Sequence, residues 1–120
     1  MLTGAILVVE DDLLVAEVVH GIVTSLGLAV VSAADGETAV ELYQQRQSEI
    51  CCIILDYELP GMHSSVALSR FRELNPKVKV ILSTGYSASE IAGYFDLVDG
   101  YMPKPYGRSE LLEQLTRIIF

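Results

Sequence analysis

Four short, unbroken apolar blocks rich in branched side chains recur along this chain, at residues 5–9, 28–32, 51–55 and 78–83. A run without polar alternation places apolar side chains on both faces of an extended segment. Each block therefore reads as a strand covered on both sides. A weaker fifth strand is expected at residues 100–102.

Between the blocks the apolar spacing becomes helical. Val15, Val18, Val19, Ile22 and Leu26 form one stripe, with Glu17, His20 and Thr24 on the other side, and Gly27 supplies a stop. Asp35 is placed to cap a second helix with residues 38–46 in its body. A third helix starts at Ser64 or Ser65 and ends before Asn75-Pro76, because a residue preceding proline is pushed out of helical geometry. A short fourth is expected at 87–94, and a fifth at 109–119 with Leu111, Leu112, Leu115 and Ile118 inward. Five strands alternating with five helices imply right-handed crossovers and a parallel sheet covered on both faces, one α/β domain over residues 1–120.

Ligands of such sheets bind beyond the carboxyl ends of the strands. Here strand one runs into Glu10-Asp11-Asp12, strand three ends in Asp56, strand four in Ser83-Thr84-Gly85, and strand five leads to Lys104-Pro105. Crowded carboxylates repel one another, and a hard divalent cation such as magnesium relieves that repulsion. A carboxylate beside such a cation is able to attack phosphorus, with a hydroxyl and an ammonium neutralising the transferred group. The net charge of −8 fits a pocket of clustered acids and argues against non-specific binding to a nucleic-acid backbone, which needs a basic face.

Ile6-Leu7-Val8-Val9-Glu10-Asp11-Asp12 resembles the opening of a response-regulator receiver domain. Ile54-Leu55-Asp56-Tyr57-Glu58-Leu59-Pro60-Gly61-Met62, Ser83-Thr84-Gly85 and Gly100-Tyr101-Met102-Pro103-Lys104-Pro105 resemble later parts of the same family, in family order over essentially the whole chain. Each pattern alone is weak; the four in order are specific. The resemblance implies a flavodoxin-like sheet in the order 2-1-3-4-5 with five helices on its two faces. It implies that Asp56 accepts a phosphoryl group. Glu10 and Asp11 match the acidic pair that holds magnesium, and Glu58 would add its backbone carbonyl. Thr84 matches the switch hydroxyl, Tyr101 the aromatic that moves with it, and Lys104 the lysine that pairs with acceptor and phosphate. The Lys104-Pro105 bond resembles the family's cis peptide. Glu58 and Tyr86, two positions after Asp56 and Thr84, would tune dephosphorylation.

The implied donor is a histidine kinase or histidine phosphotransfer protein. Such a chain catalyses only its own phosphorylation and dephosphorylation, as a cytoplasmic monomer or weak dimer without direct nucleic-acid binding. Effector output is expected outside this chain, which ends at Phe120. A degenerate scaffold of the same fold is disfavoured by the intact Glu10, Asp11, Asp56, Thr84 and Lys104. A phosphatase with an aspartyl intermediate is disfavoured because Asp56-Tyr57-Glu58 departs from the Asp-x-Asp-x-Thr pattern of such enzymes.

Other residues have plainer expectations. Asp12 is an N-cap for the first helix. His20 and His63 lack a partner at metal-ligand spacing and are expected to face solvent. Cys51 and Cys52 are strand neighbours pointing oppositely, so they are expected as buried reduced thiols. No apolar run approaches the ~20 residues of a membrane-spanning helix. Against the family pattern, His63-Ser64 follow Met62 where an acidic residue and glycine are usual. The stretch from Thr84 to Lys104 is short and lacks the usual Ala-Gly pair, and Gly93 weakens the fourth helix by about 1 kcal/mol.

Overall fold

In the computed structural model, which describes residues 4–87, 89–94 and 96–119, the apolar blocks form five parallel strands. These are β1 (Ala5–Val9), β2 (Ala29–Ala33), β3 (Ile50–Asp56), β4 (Val80–Thr84) and β5 (Gly100–Pro103), ordered β2-β1-β3-β4-β5. The helices are α1 (Leu13–Ser25), α2 (Gly36–Arg46), α3 (Ser64–Leu74) and α4 (Arg108–Ile119).

Strand alternation divides the core in two. Leu7, Val31, Ile53, Leu55, Val80 and Leu82 pack with Tyr43 of α2 and Phe71 of α3. Ile6, Val8, Cys52, Ile54, Ile81 and Met102 pack with Val19 and Val23 of α1 and Leu111 and Leu115 of α4. The sheet is thus covered by α2 and α3 on one face and by α1 and α4 on the other, as continuous apolar strands require.

Local chemistry sets the helix ends. Asp12 Oδ1 accepts from the Leu14 and Val15 amides at 2.9 and 3.3 Å, and Asp35 Oδ1 accepts from the Thr38 amide at 2.7 Å. Gly27 follows α1 at φ +86°, a conformation open to glycine without penalty. α3 begins at Ser64, but its cap is His63, whose Nδ1 accepts from the Ser65 amide at 3.1 Å.

Three expectations are corrected. The fourth helix expected at 87–94 is, among the described residues, a 3₁₀ turn at Ala92–Tyr94; Ala88 lies outside the described residues. Only Ile91 of this segment is buried in the core, and Gly93 interrupts it. A helix this short forms only when packing supports it. β2 is not covered on both faces, since at the sheet edge Ala29 and Ser32 are exposed. Val18 does not join the buried stripe of α1: it is 57% exposed, beside Leu13 and Leu14 at 76%, and Val23 takes the core position.

Both thiols are free, with Cys52 buried and Cys51 half-buried. Burial pushes both above their ordinary pKa, which keeps them protonated and unreactive. Among the described residues no helix is long and apolar enough to cross a membrane.

Candidate phosphoryl-acceptor site

The two-residue period of each strand carries past its end. Glu10 follows Val8, Asp56 follows Ile54, Ser83 follows Ile81 and Lys104 follows Met102, all on the face covered by α1 and α4. Four polar residues thereby converge at one corner of the sheet. Glu10 and Asp56 are 7% and 4% exposed, so neither carboxylate is diluted by bulk water.

Their contacts are short. Lys104 Nζ lies 2.7 Å from Glu10 Oε1 and 3.4 Å from Asp56 Oδ1. The Glu58 amide donates to Asp56 Oδ1 at 3.2 Å, and the Asp12 amide to Glu10 Oε2 at 3.2 Å. Burial, a hydrogen bond with Glu10 and the charge of Glu10 raise the pKa of Asp56 to about 7, opposed by Lys104 and the Glu58 amide. Burial lowers the pKa of Lys104, but the Glu10 and Asp56 carboxylates outweigh it and hold the ammonium above its ordinary value.

Glu10, exposed Asp11 and Asp56 each present a carboxylate oxygen, and these atoms lie within 4.8 Å of one another. Three hard oxygen donors on one side of a solvent-open corner fit a divalent cation such as magnesium, which keeps several waters and takes few protein ligands. Glu58 is exposed at the rim with its amide engaged by Asp56.

Thr84 is fully buried, and its Oγ1 accepts from the Tyr86 amide at 3.0 Å. Tyr101 donates its hydroxyl to the Tyr86 carbonyl, also at 3.0 Å. The Tyr86 peptide therefore bridges the two residues expected to switch together. No hydrogen bond joins Thr84 to Asp56 in this state. The Thr84 carbonyl accepts from the Lys104 amide at 2.7 Å, which ties the Lys104 turn to β4. The Lys104-Pro105 peptide is cis.

Sequence reasoning missed an aromatic wall. Tyr57 meets His63 and Tyr86 edge-on, at centroid distances of 5.6 and 5.4 Å, and with Asp11, Glu58 and Pro60 they line a groove beside the acceptor. His63 is exposed, as expected, but it also caps α3. The signal for that role was its place directly before Ser64-Ser65, where a side-chain acceptor is wanted.

Residues 6–116 match the family described as the response regulator receiver domain. The chain belongs to the response regulator receiver family. It is a receiver domain of two-component signalling. It is 30% identical over 116 residues to the probable transcriptional regulatory protein TcrX of Mycobacterium tuberculosis, covering 95% of this chain and 49% of that protein. It is 27% identical over 117 residues to the chemotaxis protein CheY of Treponema pallidum, covering 95% and 81%. The receiver thus spans about half the length of the first of these relatives. Among solved structures, it superposes at a TM-score of 0.83 on the receiver domain of a sensor histidine kinase from Pseudomonas aeruginosa. The two are 27% identical, 98% of each chain is covered, and a magnesium ion is coordinated in the active-site cleft of that protein.

Proposed function

We propose that Asp56 accepts a phosphoryl group from a phosphohistidine of a partner kinase or phosphotransfer protein, and that the acyl phosphate biases the receiver between two conformations. The observation that carries this reading is the setting of Asp56. It is the one carboxylate that ends the central strand of the sheet, with Lys104 Nζ at 3.4 Å and Glu10 and Asp11 within reach of a shared cation.

The chemistry follows from the groups present. An Asp56 oxygen attacks phosphorus, the P–N bond of the donor breaks, and its electron pair leaves with the imidazole, which takes up a proton. Attack requires the carboxylate ionised, so a cation held by Glu10, Asp11, Asp56 and the Glu58 carbonyl would depress the acceptor's raised pKa and screen the incoming phosphoryl oxygens. Lys104 supplies one positive charge to the phosphoryl oxygens, and Thr84 a hydroxyl donor. Gly85 leaves the approach to the site open for the donor ring.

These groups serve a single acceptor within the chain, so the protein acts on itself and is not a turnover enzyme for outside substrates. The α-helical faces and acidic charge suit a cytoplasmic protein partner, with the chain a monomer or weak dimer that does not bind nucleic acid directly. Effector output belongs to another domain or protein.

Phosphotransfer from purified, radiolabelled histidine kinases tests the proposal. Label should move rapidly from at least one kinase to the wild-type receiver in magnesium, and a chelator should stop it. Transfer that continues at the same rate in chelator, or that persists in Asp56→Asn, would contradict the proposal.

A further inference from the structure

Ser83 is 2% exposed, and its hydroxyl is buried without completing a hydrogen bond. An unsatisfied buried hydroxyl costs about 1–3 kcal/mol, so its retention in a sheet otherwise lined by Val, Ile and Leu calls for a reason. Its position supplies one. Ser83 is the register partner of Asp56 on β3 and of Met102 on β5, and strand alternation places it on the same sheet face as the acceptor.

The group facing Ser83 is the hydroxyl of Tyr106. Burial raises the pKa of that phenol, and its interaction with Ser83 partly offsets the rise. The Tyr106 ring packs with the α1–α4 core and borders Val15 and Val19 of α1 together with Lys104 and Pro105. Tyr106 is two residues beyond Lys104, whose own amide is fixed to the Thr84 carbonyl. The turn carrying the ammonium is therefore held at its first residue by a backbone hydrogen bond. At its last it is held by an aromatic ring whose hydroxyl points at β4.

We propose that Ser83 and Tyr106 are a positioning pair for Lys104. Their hydroxyls fix the depth of the 104–106 turn beside Asp56, so that the ammonium reaches the phosphoryl oxygens rather than resting on Glu10. Neither residue touches the transferred group; both act through Lys104. The inference rests on Asp56 being the acceptor.

The test is a double-mutant cycle on the full chain, with phosphoramidate as donor in saturating magnesium. Tyr106→Phe keeps the ring and removes the hydroxyl, and Ser83→Ala removes its partner. Each should lower the maximal rate of Asp56 phosphorylation roughly fivefold, the equivalent of one neutral hydrogen bond. The half-saturating donor concentration should be unchanged. The double variant should lose no more than either single variant, because the two hydroxyls act as one unit. Wild-type maximal rates in both single variants, or losses that multiply in the double variant, would overturn the pairing even if melting temperatures shift. A wild-type chain that takes up no phosphoryl group would remove the acceptor reading and this inference together. Normal wild-type labelling with indifferent variants would remove this inference alone.

Discussion

Lys104 stands closer to Glu10 than to Asp56, at 2.7 Å against 3.4 Å. The ammonium is therefore engaged mainly by the residue beside the acceptor. Asp56, deprived of full neutralisation and buried next to a second carboxylate, has its pKa raised to about 7. The site at rest is electrostatically strained at the residue that must react, and an added cation or phosphoryl group relieves that strain.

A stability effect of pH follows from this. The folded pKa of Asp56 lies above its ordinary value of 3.8, so the fold favours the protonated carboxyl. The associated stability is fully present below pH ~4 and is lost as pH rises through about 7. Asp56→Asn removes the penalty. Its melting temperature should exceed that of wild type by several degrees at pH 8, on the order of 1–3 kcal/mol, and by much less at pH 5. Thermal denaturation in the absence of divalent cations measures this; an equal difference at both pH values would contradict it.

Magnesium should stabilise the wild-type chain. A site of three carboxylates without an enclosing cage predicts millimolar affinity, and about 10 mM magnesium then adds roughly 1 kcal/mol. Asp11→Ala should lose most of that response while folding normally, since Asp11 is exposed and contributes little to packing. A thermal shift in Asp11→Ala as large as in wild type would remove Asp11 from the cation site.

The Tyr86 peptide links the Thr84 hydroxyl to the Tyr101 hydroxyl through two 3.0 Å hydrogen bonds. Drawing Thr84 toward a phosphoryl oxygen should break the first bond and release Tyr101 from the second. Amide resonances of residues 84–86 and 100–104 should move on treatment with beryllofluoride and magnesium, and Thr84→Ala should reduce the shifts near Tyr101. Changes limited to the neighbours of Asp56 would point to a phosphate store rather than a switch.

Tyr86 should also prolong the life of the acyl phosphate. Its ring lies edge-on to Tyr57, in the groove shared with Glu58, on the approach a hydrolytic water needs. Tyr86→Ala should hydrolyse the phosphate several-fold faster, followed by loss of label after the donor is removed. An unchanged or longer lifetime would show that Glu58, orienting the water, outweighs the steric block.

The parallel sheet was legible because four continuous apolar blocks each end in a polar residue, and only a doubly covered strand tolerates that pattern. Glu10, Asp11, Asp56, Thr84 and Lys104 were legible for the same reason: they occupy strand ends, where an open sheet places its ligands. The short fourth helix was misread because Ser87 and Glu90 form a local turn that mimics a helix start, with a 2.8 Å side-chain hydrogen bond. The burial needed to continue it is limited to Ile91. Val18 was misplaced because α1 is apolar on more than one face, so its periodicity does not single out the core side. The preference of Lys104 for Glu10 over Asp56 was beyond reach, since it depends on less than an ångström of tertiary geometry. The Ser83–Tyr106 contact was hidden likewise, because it joins residues more than twenty positions apart across a turn.

Mass mapping of the phosphoryl adduct tests the central claim most directly. The wild-type chain, treated with acetyl phosphate and magnesium and trapped by borohydride reduction, should carry one modification, on Asp56, and Asp56→Asn should carry none. A modification on Glu10 or Asp11 in wild type, or unreduced uptake in Asp56→Asn, would contradict the account.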